Sequence, residues 1–159
     1  MKPLLRLLAI PVLLLAACSP QAGAAPMPEA AATHAVSGLK VIPLTIVQGG
    51  RQHRFRVEVA ASDEEQAKGL MFRTEMGADE GMIFPKEPPQ MRSFWMRNTV
   101  IPLDMLFIGP DHKVVNVIAN AEPYSLDSRP SVAPVSAVLE LNGGRAAQLG
   151  IEAGATVSW

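Results

Sequence analysis

FWMRNTVIPLDMLFI, Phe94 to Ile108, is the stretch that decides how the chain is read. Its second half alternates Leu103, Met105 and Phe107 with Asp104, Leu106 and Ile108. Residues two apart share one face of a strand, so both faces here are largely apolar. Such a strand is covered on both sides and belongs in the middle of a layered β domain. Pro102 has no N–H for a ladder and marks the bend from which the strand starts. Asp104 then becomes an acid inside a covered strand. A carboxylate removed from water needs a cation or several N–H donors, or it takes up a proton. Arg97 and Arg73 are the candidate cations, and Asn98 and Thr99 can add hydrogen bonds. Two readings stay open: a tie that caps the bend or pairs with Arg97, and the polar floor of a binding site.

Working outward, the neighbouring segments carry the same signals. LKVIPLTIVQ (39–48) is β-branched and apolar, and Gly49-Gly50 then supplies a hairpin turn. RFRVEVA (54–60) puts Phe55, Val57 and Val59 on one face and Arg54, Arg56 and Glu58 on the other, which reads as a solvated face. SDEEQAKGLM (62–71) changes period. Ser62 with Glu65 makes a capping box, Asp63 and Glu64 suit the positive end of a helix, and Gly69 ends it. RTEMGADEGMIFPKEPPQM (73–91) is turn-rich, with GMIF as a short strand. Strands before and after Gly109–His112 form a second hairpin, VSAVLEL (135–141) is another strand, and ATVSW (155–159) closes the chain. NGGRAAQLG (142–150) holds a helical turn. Together these predict a mostly β domain, a β-sandwich or barrel-like and α+β in character. It has one short helix near residues 62–71 and a helical turn near 144–149.

The first part of the chain is of another kind. Residues 1–17, MKPLLRLLAIPVLLLAA, carry Lys2 and Arg6 before a short apolar run, the pattern of a secretory signal and too short to span a bilayer. Leu15-Ala16-Ala17-Cys18 resembles a bacterial lipobox, with cleavage after Ala24 as the competing reading. Cys18 is the single cysteine among 159 residues. Its absence elsewhere excludes an internal disulfide, a thiol nucleophile and a thiolate metal site in the domain. Residues 18–38 are rich in Ala and Pro and read as a flexible tether, leaving 39–159 as a single globular domain. The expected location is the periplasm, or a membrane of the bacterial cell envelope held through the lipid anchor alone. The chain carries 14 basic and 15 acidic residues, and removing Lys2 and Arg6 deepens the acidic excess, which argues against nucleic acid as a partner.

An aromatic wall with Arg, Asn and Asp is common equipment for a polyhydroxylated or carboxylated ligand. Trp95, Arg97, Asn98 and Asp104 are therefore the candidate ligand-binding residues, with Arg73 and Tyr124 in support. Tyr124 lies in EPYSLDSRPSVAP (122–134), a long loop of the kind that often carries function. An enzyme site is the weaker reading, since only Asp104 with a second carboxylate such as Glu140 would serve a hydrolase. Six methionines, Met71, Met76, Met82, Met91, Met96 and Met105, crowd one third of the domain. Thioethers bind copper(I), yet the closely spaced repeats usual for that are missing and core filling is the simpler role. His34, His53 and His112 are isolated, so no metal site and no cofactor are expected.

With these pieces in view, VEVAASDEEQAKGLMFR, GMIF, FWMRNTVIPLDMLFI, YS and VLELNGG resemble the bacterial and archaeal family called domain of unknown function 192, over about residues 39–159. The resemblance implies a compact, mostly β and often exported domain, and it implies no activity, cofactor or catalytic residue. The reading is an exported, lipid-anchored module that binds a carbohydrate or small polar molecule. An envelope hydrolase and a protein-interaction module in envelope assembly are the alternatives.

Overall fold

The computed structural model describes residues 32–159. The expected signal segment, Cys18 and most of the expected tether lie outside the described residues. The segment 32–38, expected as the end of the tether, belongs instead to the folded unit. Strand β1 (Ala32–Thr33) pairs with β2 (Lys40–Gln48), and the chain between them turns back through His34 N–H to Leu39 O (2.8 Å) and Gly38 N–H to His34 O (2.8 Å).

β2 and β3 (Arg51–Val59) form the first hairpin. Gly49 and Gly50 carry it at φ 55° and 79°, the left-handed pair that matches the twist of the strands it joins. A short helix α1 (Asp63–Lys68) follows, with both halves of the capping box formed and Gly69 at its end. The Glu65 carboxylate takes up the N–H groups of Ser62 and Ala61, and these bonds hold its pKa below the usual value. α1 is the crossover to β4 (Glu80–Gln90), which runs parallel to β3. β4 is far longer than GMIF alone. Its Pro-rich second half lies across a register shift between Pro85 and Gln90, where missing ladder bonds tolerate residues without N–H.

β6 (Leu103–Ile108) and β7 (Val114–Ala121) make the second hairpin, and β9 (Val135–Asn142) inserts between β4 and β6. β5 (Ser93–Phe94) and β8 (Arg129–Pro130) pair apart from the main sheet. After α2 (Arg145–Leu149), β10 (Thr156–Ser158) joins β2. The sheet order is β1-β2-β3-β4-β9-β6-β7, with β10 on β2. The sheet curls so that the β10 end reaches the start of β7, through Val114 N–H to Ala155 O (2.9 Å) and Val157 N–H to His112 O (2.8 Å). The fold is thus mostly β and α+β in character, built on a curled sheet that does not close into a barrel.

All six residues of β6 are buried, as its two apolar faces require. Leu106 and Ile108 join Leu44, Phe55, Val57 and Leu139 in one core, inside the curl and beneath α2. Leu103, Met105 and Phe107 join Met82, Phe84 and Val138 in a second core on the opposite face. Leu70 and Met96, from the segments after α1 and after β5, cover that second core.

Candidate functional site

Asp104 is fully buried on the α2 side of β6. Its Oδ1 accepts N–H bonds from Asn120 (2.7 Å) and Gly144 (2.8 Å), and its Oδ2 accepts one from Ala146 (2.7 Å). Gly144, at the N-cap of α2, has no side chain to cap the helix. Asp104 supplies that cap from another strand and ties the end of β7 to the start of α2. Neither Arg97 nor Arg73 is its partner, so the expected arginine pairing gives way to backbone donors. The carboxylate is fully used and stands apart from the other candidate residues.

Asp104 and Glu140 also fail as a catalytic pair. Asp104 lies opposite Leu141 and Glu140 opposite Met105 on adjacent strands, so the two acids project from opposite faces of one sheet. Acids on opposite faces cannot act together on one bond, so this pair does not make a hydrolase site. Glu140 itself is 4 % exposed, and burial pushes its pKa up to about 8.

Four of the other candidates come together where three loops meet over the second core. Phe72 N–H donates to Asn98 O (2.8 Å), Tyr124 N–H to Thr99 O (3.2 Å) and Met96 N–H to Ser125 O (2.9 Å). The Asn98 amide reaches Met71 Sδ at 3.8 Å. Phe72, Asn98 and Tyr124 hold left-handed backbone, at φ 63°, 55° and 62°. That conformation costs a side-chain-bearing residue about 1–2 kcal/mol and is rarest for bulky side chains. Two aromatic rings stand outward from it: Phe72 is 69 % and Tyr124 61 % exposed, and Trp95 is 50 % exposed. The Arg97 guanidinium lies 5.6 Å from the centre of the Trp95 ring. Trp95, Arg97, Asn98 and Tyr124 thus stand on loops hydrogen-bonded to one another, and Phe72 is a member of this seam that sequence reasoning missed. Its signal was a phenylalanine directly after a helix-ending Gly-Leu-Met, where a surface loop has no packing use for one.

Arg73 sits at the edge of this seam, in a cavity of about 860 Å³ lined by Leu39, Lys68, Met71, Phe72, Arg73 and Met76 among others. Its guanidinium pairs with Glu58 at 2.8 and 3.0 Å. Ser37 Oγ–H also donates to Glu58, and His34 Nδ1 lies 3.6 Å from the same carboxylate. Glu58 is only 3 % exposed, a correction to the solvated face expected for it. Alternation separates the two faces of β3 correctly, but the α1–β4 crossover and residues 34–37 fold over the outer one at this end. His34 likewise belongs to this cluster and not to a free tether. Among the described residues no three of His, Cys, Asp or Glu come together as metal ligands.

The match to solved structures is extensive. A protein of unknown function from Novosphingobium aromaticivorans is 55 % identical, with a TM-score of 0.79 over 80 % of this chain and 91 % of its own. A protein described as a candidate transcription regulator from Sinorhizobium meliloti is 36 % identical, with a TM-score of 0.74 over 76 % of this chain and 94 % of its own. No curated protein matches. The family described as uncharacterised ACR matches residues 44–159, a span that holds the loop seam, Glu58, Arg73 and Asp104. The chain therefore belongs to the domain of unknown function 192 family.

Proposed function

We propose that this domain is a ligand-binding module of the cell envelope that takes a carbohydrate or small polar molecule on the Phe72–Trp95–Tyr124 surface. One observation carries the reading: three hydrogen-bonded loops accept left-handed backbone so that aromatic rings face solvent. Strain of this kind persists where a site requires it. Aromatic faces stack on the apolar faces of sugar rings, while Arg97 and Asn98 offer donors to hydroxyl or carboxylate oxygens. The adjoining cavity gives room for a ligand larger than one ring. Export and anchoring at Cys18 are part of the proposal and rest on the signal-like and lipobox-like segments of the sequence. The acidic excess supports a ligand other than nucleic acid, whatever name the Sinorhizobium protein carries.

The test is a panel of envelope glycans and their acidic fragments, read by calorimetry and by the shift in melting temperature. A positive ligand should lose about fivefold or more in affinity on Trp95→Ala or Tyr124→Ala, as one stacked ring is worth about 1 kcal/mol. A panel without any binder, or binding indifferent to both variants, removes the proposal. A protein-interaction module is the second reading, favoured by Leu126 and Val132 standing 66 % and 70 % exposed on the long loop. It predicts a partner lost on Leu126→Asp with glycan binding intact.

A further inference from the structure

Glu140 is the one deeply buried acid with no task in what precedes. Asp104 has three N–H donors and Glu58 has Arg73, whereas among the described residues Glu140 accepts no hydrogen bond and burial is the sole influence on it. The residues directly opposite it, on both neighbouring strands, are methionines: Met82 on β4 and Met105 on β6. Opposed residues on one sheet face have their Cβ atoms about 5 Å apart, so a methionine side chain leaves the sheet on each side of Glu140. Met82, Met105 and a third methionine, Met96, are all fully buried in the second core. Met76 packs against that core and also lines the cavity, beside Met71. Methionines thus occur both on the cavity wall and in the core that Met76 packs against.

Core packing explains methionines but not the acid among them. A leucine would fill the Glu140 position at no electrostatic cost, whereas a carboxyl that is only 4 % exposed is expensive. A soft monovalent cation fits both kinds of residue. Neutral thioethers select copper(I) over harder ions, and one carboxylate leaves the buried assembly without net charge. The site is invisible to a search for histidine, cysteine and carboxylate clusters, because its donors are chiefly methionine.

We propose that Met82, Met96, Met105 and Glu140 form a binding site for copper(I), reached from the cavity past Met76 and Met71. Binding involves no change of oxidation state. The site adjoins the aromatic surface through the shared cavity but uses different donor atoms, and copper(I) is titrated without carbohydrate, so the two readings are tested separately.

The experiment titrates the full chain, carrying Cys18→Ser to remove its single thiol, with copper(I) against a chromophoric chelator under anaerobic reducing conditions. One copper(I) per chain is expected. The double variant M82L/M105L keeps volume and apolarity, and should weaken binding about 100-fold or more with an unchanged circular dichroism spectrum. Met96→Leu and Glu140→Gln, each alone, should weaken it at least about tenfold, which keeps the test decisive if the double variant fails to fold. X-ray absorption of the loaded chain should show two or three sulfur neighbours. A Cys18→Ser chain that fails to compete with the chelator, equal affinity in folded Met variants, or a copper shell of nitrogen and oxygen alone would each overturn the proposal.

Discussion

Asp104 shows what a single buried charge does when its donors are all backbone. Its three N–H bonds come from Asn120, Gly144 and Ala146, which belong to the end of β7 and the start of α2. Hydrogen bonds to a charged acceptor are each worth about 1.5–3 kcal/mol net. Asp104→Asn replaces one acceptor oxygen with an NH₂ that must face a backbone N–H. The variant should therefore lose about 3 kcal/mol or more of unfolding free energy, measured by urea titration. Equal stability would mean that the acid is kept for something other than folding. The turn that brings Gly144 to this carboxylate also requires a glycine at 143. A Cβ on Gly143 would stand 2.6 Å from Asn120 Oδ1 and 2.8 Å from Pro102 Cβ. Gly143→Ala should thus move the turn that presents Gly144 to Asp104, and lower the melting temperature.

At the scale of elements, the short strand β1 does more than its length suggests. It leads into the residues that bring His34 and Ser37 onto Glu58, beside Arg73. Deleting residues 32–38 from the chain removes the Ser37 hydroxyl and opens one wall of the cavity, which His34, Val36 and Ser37 help to line. The expected result is faster amide hydrogen exchange in residues 56–59 and 70–76, with the first core unaffected. Exchange unchanged in those residues would show that the strap is only laid on the surface. These elements also show which features could be read from sequence. The Ser62–Glu65 box and the Gly49-Gly50 turn were legible because every partner lies within four residues. The burial of β6 was legible because both faces are apolar. The partners of Asp104 were not, since they lie 16, 40 and 42 residues away and are backbone atoms, which carry no residue signature. Trp95, Arg97 and Asn98 were visible as polar and aromatic residues in an apolar run. Phe72 and Tyr124 reach the same surface only through tertiary bonds between loops.

For the molecule as a whole, Glu140 ties stability to pH, and the sign follows from its environment. The group faces Met82 on β4 and Met105 on β6. The nearest charged side chains along its row of the sheet are Glu58 on β3 and its partner Arg73, which neutralise each other. No cation therefore offsets the burial, and the pKa rises from 4.5 to about 8 in the folded state. Between those values the native chain holds a proton that the unfolded chain has released. Stability from this group is complete below the unfolded pKa, declines as pH rises through that interval and is lost above the folded pKa. The total change is on the order of several kcal/mol, at about 1.4 kcal/mol per pKa unit. Glu65 works in the opposite sense, because its lowered pKa favours the folded state above its unfolded value and loses that favour in acid. Urea midpoints of the metal-free chain should therefore fall from mildly acid to mildly alkaline pH, and Glu140→Gln should flatten that fall. Parallel profiles for the two proteins would mean that Glu140 stays ionised in the core, with a partner that its surroundings do not supply.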